Sequence, residues 1–181
     1  MGGCIWVAGM FCVLAALQAH RIGLFLVPTF GATLTILMLL PDAPVAQPYA
    51  VIGGSVIGAA LGTAFGFFGR GLGTAVLAMI AAFVVISLIH AYHPPGVALA
   101  MIPVLLKPGP WFSLSVVLPF TTVAVLSAAA MSKWSSGWPA YPKPLRDGAV
   151  QDAPTHGIGQ APVALAHAMS PLIHALITLT R

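Results

Sequence analysis

The side chains best placed to do chemistry are His90 and His93 in the stretch "HAYHPPGVALAMIPVLL", residues 90–106, where they stand directly ahead of Pro94, Pro95 and Gly96. Each imidazole can donate or accept a hydrogen bond or carry a proton, and a spacing of three puts both on one face of a helix. Two prolines and a glycine then break that helix and start another. The new helix would open with amides at Gly96, Val97 and Ala98, and a helix N-terminus carries about half a positive charge, which favours an anion. A similar element, "VPTFGAT" at 27–33, comes earlier. There Pro28 removes an amide donor and Gly31 relaxes the backbone, so Thr29, Gly31, Ala32 and Thr33 offer a second such terminus. Two positive ends facing one midplane cavity would hold a small anion, with His90, His93 and Arg21 steering it. The plainer alternative is that both histidines bond carbonyls freed at the break.

The elements that must position these residues are read from composition. The chain has 181 residues, 59% hydrophobic and 6% charged, with no glutamate. An average soluble domain carries about 25% charged residues, so this is a membrane protein with the lipid bilayer as its surroundings. Apolar stretches cover 4–19, 22–40, 49–68, 71–90 and 111–131. A shorter one at 96–106 spans only about 16 Å at 1.5 Å per residue, the length of a half-helix. Turn residues fill 41–48, 69–71 and 107–111. The expected fold is an all-α membrane protein, a small helical bundle with broken or half helices. If each half crosses an odd number of times, the halves form an inverted repeat.

Residues 1–132 read as the transmembrane domain and 133–160 as a solvated tail rich in proline and base. Residues 161–181 read as an interfacial helix or a loosely ordered tail. The apolar N-terminus has its basic residues, His20 and Arg21, after it and not before it, so it reads as a spanning helix and not a signal peptide. The chain is expected in the cell (inner) membrane. Its seven Lys and Arg are scattered singly, which excludes nucleic acid as a partner. Arg21, Arg70 and Lys107 read as topology signals and interfacial anchors.

Gly54, Gly58, Gly62 and Gly66 repeat at four-residue spacing and leave one helix face as bare backbone. Such a face packs closely against another helix of the same chain or of a second copy, and a homo-oligomer is expected. Cys4 and Cys12 read as packed or lipid-facing thiols, two helical turns apart and too distant for a disulfide. Asp42 and Gln47 fall in the turn-rich 41–48 loop as capping residues. His167 and His174 share a helix face but have no third ligand, and no metal or cofactor is expected anywhere in the chain.

The stretches "PTFGATLTILMLLPDAPVAQPYAVIGG" (28–54) and "HPPGVALAMI" (93–102) together resemble the HPP family of small integral membrane proteins, named for its His-Pro-Pro motif. The resemblance covers roughly residues 20–142. It implies about four spans and, from some members, nitrite transport. By motif it points to His93, Pro94, Pro95 and Gly96, with Pro28, Gly31, Ala32 and Thr33 opposite, and Gln47, Pro48, Gly53 and Gly54 as a shaping element. The expected function is a transporter or channel for a small inorganic anion such as nitrite. The alternative is a non-conducting structural or regulatory subunit assembled through the glycine-rich helix. An enzyme is disfavoured, since no nucleophile pairs with a base and the acids are only Asp42, Asp147 and Asp152.

Overall fold

The computed structural model describes residues 2–17, 23–134 and 138–143. The side chains of Cys4 and Arg21 and the segment from Pro144 onward, with His167 and His174, lie outside the described residues. Six helices account for the described chain: α1 (Gly2–Leu17), α2 (Gly23–Leu39), α3 (Tyr49–Phe68), α4 (Leu72–Leu88), α5 (Pro94–Leu106) and α6 (Ser113–Trp134). It is an all-α membrane protein. α3, at 20 residues, and α6, at 22, have the full length and hydropathy of a span.

Packing follows the rule for lipid rather than for water. Between helices in a bilayer there is no hydrophobic drive, so close contact of small residues must hold them together. On α4 the buried positions are Ala75, Ala78, Ala82 and Ile86, while Leu72, Leu77, Ile80 and Phe83 are exposed. Small side chains face inward and large ones face lipid. Larger groups fill a second layer where α2 meets α6, with Phe30 stacked on Phe120 at 4.0 Å between ring centroids.

The glycine stripe of α3 faces α5 of the same chain. A Cβ at Gly54 would lie 2.5 Å from the Ala91 carbonyl oxygen, and at Gly58 and Gly62 it would collide with the carbonyls of Gly96 and Ala100. A Cβ at Gly66 would meet the Pro103 carbonyl at 3.3 Å. The face proposed for subunit assembly is therefore consumed inside the bundle. The same ordered pairing shows that α5 runs parallel to α3 over nearly its whole length. It follows the α3 glycine face toward the far end of the bundle, though it is shorter than α3 and α6.

Helix directions alternate accordingly. α1, α3 and α5 run one way and α2, α4 and α6 the other; α1 lies against α2 with Phe11 at Gly31 and Val7 near Thr35 and Met38, an antiparallel order. One end of the bundle carries the 41–48 loop, the 89–93 break and residues 138–143, and is called the loop end. The opposite end carries the tight turn at Gly71, whose φ of 94° needs glycine, and the 107–112 connection. Arg70 and Lys107 sit at the turn end, Lys133 and Lys143 at the loop end, so the described basic residues fall at both ends.

Two features differ from the sequence reading. α2 is one continuous helix through Pro28. Pro28 lies in the second turn, where its missing amide removes a single bond to the Leu24 carbonyl, and the helix absorbs that loss. No second helix terminus exists at Thr29–Thr33. The helical domain also extends beyond residue 132, because Tyr141 is 4% exposed and its hydroxyl donates to the Ala46 carbonyl at 2.9 Å. Within 138–143 Tyr141 anchors the segment on the bundle, while Pro139, Ala140, Pro142 and Lys143 stay exposed.

Candidate functional site

The break between α4 and α5 is built by a backbone motif. The amide of Ala91 donates to the Ile86 carbonyl at 3.0 Å and that of His90 to Ser87 at 3.1 Å, the paired bonds of a Schellman cap. Such a cap needs a left-handed residue, and His90 supplies it with φ 57°. His90 is thus an exposed helix stop, and the left-handed turn puts His90 and His93 on different faces. The chain then extends through His93, φ −135° and ψ 105°, as a residue before proline must, and α5 begins at Pro94.

His93 is fully buried, and both ring nitrogens are occupied. Nδ1 lies 2.8 Å from the Val45 carbonyl oxygen and Nε2 lies 3.0 Å from Thr33 Oγ1. A carbonyl only accepts, so Nδ1 carries the proton, and Nε2 accepts from the Thr33 hydroxyl. The ring therefore fastens three elements: the 41–48 loop, α2 and the start of α5. The carbonyl it bonds belongs to the 41–48 loop and not to the break itself.

The first amide of α5 is also taken. Pro94 and Pro95 have no amide hydrogen, and the Gly96 amide donates to the His93 carbonyl at 2.8 Å. Gly96 itself is pressed on α3, where a Cβ would lie 2.6 Å from the Gly54 carbonyl. The expected row of free amides at Gly96, Val97 and Ala98 does not begin as such. The break lies toward the loop end: Tyr49 Oη, at the start of α3, donates to the Ile89 carbonyl at 3.1 Å. Because α4 runs most of the length of α3 before it stops, the break falls at the loop end.

Two sequence elements do meet around open space. Pro28, Thr29, Ala32 and Ile36, one face of α2, and Pro94, Pro95 and Ala98, one face of α5, line a shallow groove of about 370 Å³ open to the outside of the bundle. Thr29 is its one side-chain hydroxyl. The remaining candidates point elsewhere: Gly31 packs on the Phe11 ring, Thr33 on His93, and Val97 in the cluster with α4. Among the described residues no group of His, Cys, Asp or Glu could hold a metal.

Gln47 acts within the 41–48 loop, where a capping and shaping residue was expected, while the parts played by Tyr141 and Lys143 escaped the sequence reading. Gln47 bridges its own loop, Nε2 donating to the carbonyls of Pro41 at 2.9 Å and Ala43 at 3.2 Å. Its Oε1 accepts from the Lys143 amide at 3.1 Å. Lys143 Nζ also pairs with Asp42 at 2.6 Å, and burial pushes the Tyr141 hydroxyl above its ordinary pKa, which keeps it a donor. The one available signal was an aromatic among prolines in "GWPAYPKP", which also fits a plain interfacial exit.

Six apolar helices with small residues inward and large ones toward lipid, holding a proline-broken helix against a glycine face, define a helical integral membrane protein. The chain matches the family model described as "HPP, transmembrane region" over residues 1–142, and it belongs to that family. The match takes in all six helices and continues through Tyr141. Neither the curated proteins nor the solved structures include a match to it.

Proposed function

We propose that the protein moves a small monovalent anion such as nitrite across the membrane along the groove between α2 and α5. The observation that supports this is the convergence of Pro28, Thr29 and Ala32 with Pro94, Pro95 and Ala98 on one open groove. His93 acts from behind the groove wall, holding α2 and α5 at fixed separation, and does not bind the anion. One hydroxyl cannot hold an anion against lipid, since a bare charge in hydrocarbon costs at least several kcal/mol. The groove is therefore half of a conduit, and a second copy of the chain closes it.

The test is uptake of nitrite into proteoliposomes. Ala32→Leu fills the groove from an exposed position and abolishes uptake, and Thr29→Val lowers it about tenfold. Saturable uptake that survives Ala32→Leu places the path elsewhere. A second reading, a non-conducting structural subunit, is favoured by one observation: the His93 ring and the Gly96 amide have no bond left for a ligand. A folded wild-type protein that moves no nitrite, nitrate, chloride or formate selects it.

A further inference from the structure

The 41–48 loop is gripped at neighbouring carbonyls by two different segments. Val45 O accepts from His93 Nδ1 at 2.8 Å, and Ala46 O accepts from Tyr141 Oη at 2.9 Å. The loop holds itself weakly, because Pro41, Pro44 and Pro48 have no amide. Its own backbone bonds are Ala43 to Leu40, Ala46 to Ala43 and Gln47 to Pro44. The second grip comes from one short segment: Tyr141 on Ala46, the Lys143 amide on Gln47 and Lys143 Nζ on Asp42.

That segment is lightly seated. Tyr141 is its one buried residue, while Pro139, Ala140, Pro142 and Lys143 are exposed. The Asp42–Lys143 pair is 62% and 46% exposed, so water replaces it at little cost. Trp138 packs edge-on against Trp6 at 5.5 Å, yet its buried Nε1 has no partner among the described residues. A segment with few buried contacts opens at far lower cost than the whole fold.

We propose that Trp138–Lys143 is a releasable latch on the 41–48 loop. When Tyr141 withdraws, the loop loses its bonds to the latch together and lifts from His93, which opens the break between α4 and α5 to the aqueous side of the loop end. The loop moves as a unit because the Gln47 amide ties its two ends. The latch is independent of what the protein carries, and its test reads the loop and not transport.

The test is hydrogen exchange of the full chain in lipid nanodiscs, read on peptides covering 41–49 and 55–68. Tyr141→Phe keeps the ring and removes one buried hydrogen bond, so exchange at Ala46 and Gln47 rises roughly five- to tenfold while α3 stays unchanged. Loop exchange that does not rise overturns the proposal, as does a rise shared equally by α3, which is general loosening. Where Tyr141→Phe does not fold, Lys143→Ala decides by itself: a rise of about twofold confined to the loop supports the latch, and no rise overturns it.

Discussion

α2 and α5 carry nearly the same ingredients, proline and glycine amid small residues, and the fold uses them in opposite ways. In α2 a single proline lies in the second turn, costs one hydrogen bond and leaves the helix straight through. In α5 two prolines occupy the first positions behind a left-handed His90 and an extended His93, so the chain stops and restarts. The glycines differ likewise. Gly31 faces the end of the Phe11 ring, whereas Gly96 faces the backbone of α3. A proline's position relative to a helix start, and what stands opposite a glycine, decide whether the motif is a perturbation or a joint.

The largest expected effect breaks this contrast at the glycines. Gly96→Ala puts a Cβ 2.6 Å from backbone atoms of Gly54 that cannot swing aside, and thermal unfolding in detergent should show a loss of about 3 kcal/mol or no folded protein. Gly31→Ala meets a ring edge at 3.0 Å that can shift, so stability should stay within about 1 kcal/mol. Equal losses at both sites would erase the distinction between the two helices.

Next in size is the clamp that joins them. His93→Ala strands the Val45 carbonyl in the interior, while the Thr33 hydroxyl keeps the Thr29 carbonyl as acceptor, and should cost about 2 kcal/mol by chemical denaturation. Thr33→Val, which leaves the loop bond intact, should cost about 1 kcal/mol. A His93→Ala protein as stable as wild type would mean that the ring carries no structural duty.

Two smaller changes should stabilise. His90→Gly relieves a left-handed side chain and should gain about 1 kcal/mol, while His90→Val should lose more than that. Pro28→Ala restores one amide to α2 and should gain roughly 0.5–1 kcal/mol. If Pro28→Ala instead destabilises as strongly as Gly96→Ala, the proline is a joint in both helices after all.

Much of this architecture was legible because its causes are local. Apolar length marked α2, α3, α4 and α6, and the Pro94–Pro95 pair marked the restart. Bare backbone at Gly54, Gly58, Gly62 and Gly66 announced a close contact. What stood opposite was not legible, because a glycine face fits any small partner, and only the fold shows that α5 takes it. The histidines were read from spacing, which assumes a helix through both. The left-handed turn at His90 breaks that assumption and turns one ring out and the other in. The bonds that tie Tyr141 and Lys143 to Ala46 and Gln47 span more than 90 residues of sequence and leave no periodic trace.

The claim at the centre is that His93 is a closed clamp whose two ring nitrogens belong to Val45 and Thr33. Nitrogen NMR of the imidazole rings in lipid, with the His93 signal assigned by its loss in His93→Gln, measures this directly at neutral pH. One neutral tautomer with its proton on Nδ1, unchanged when nitrite is added, is expected. A proton on Nε2, or a His93 signal that moves with nitrite, would contradict it and return the anion to the His-Pro-Pro break.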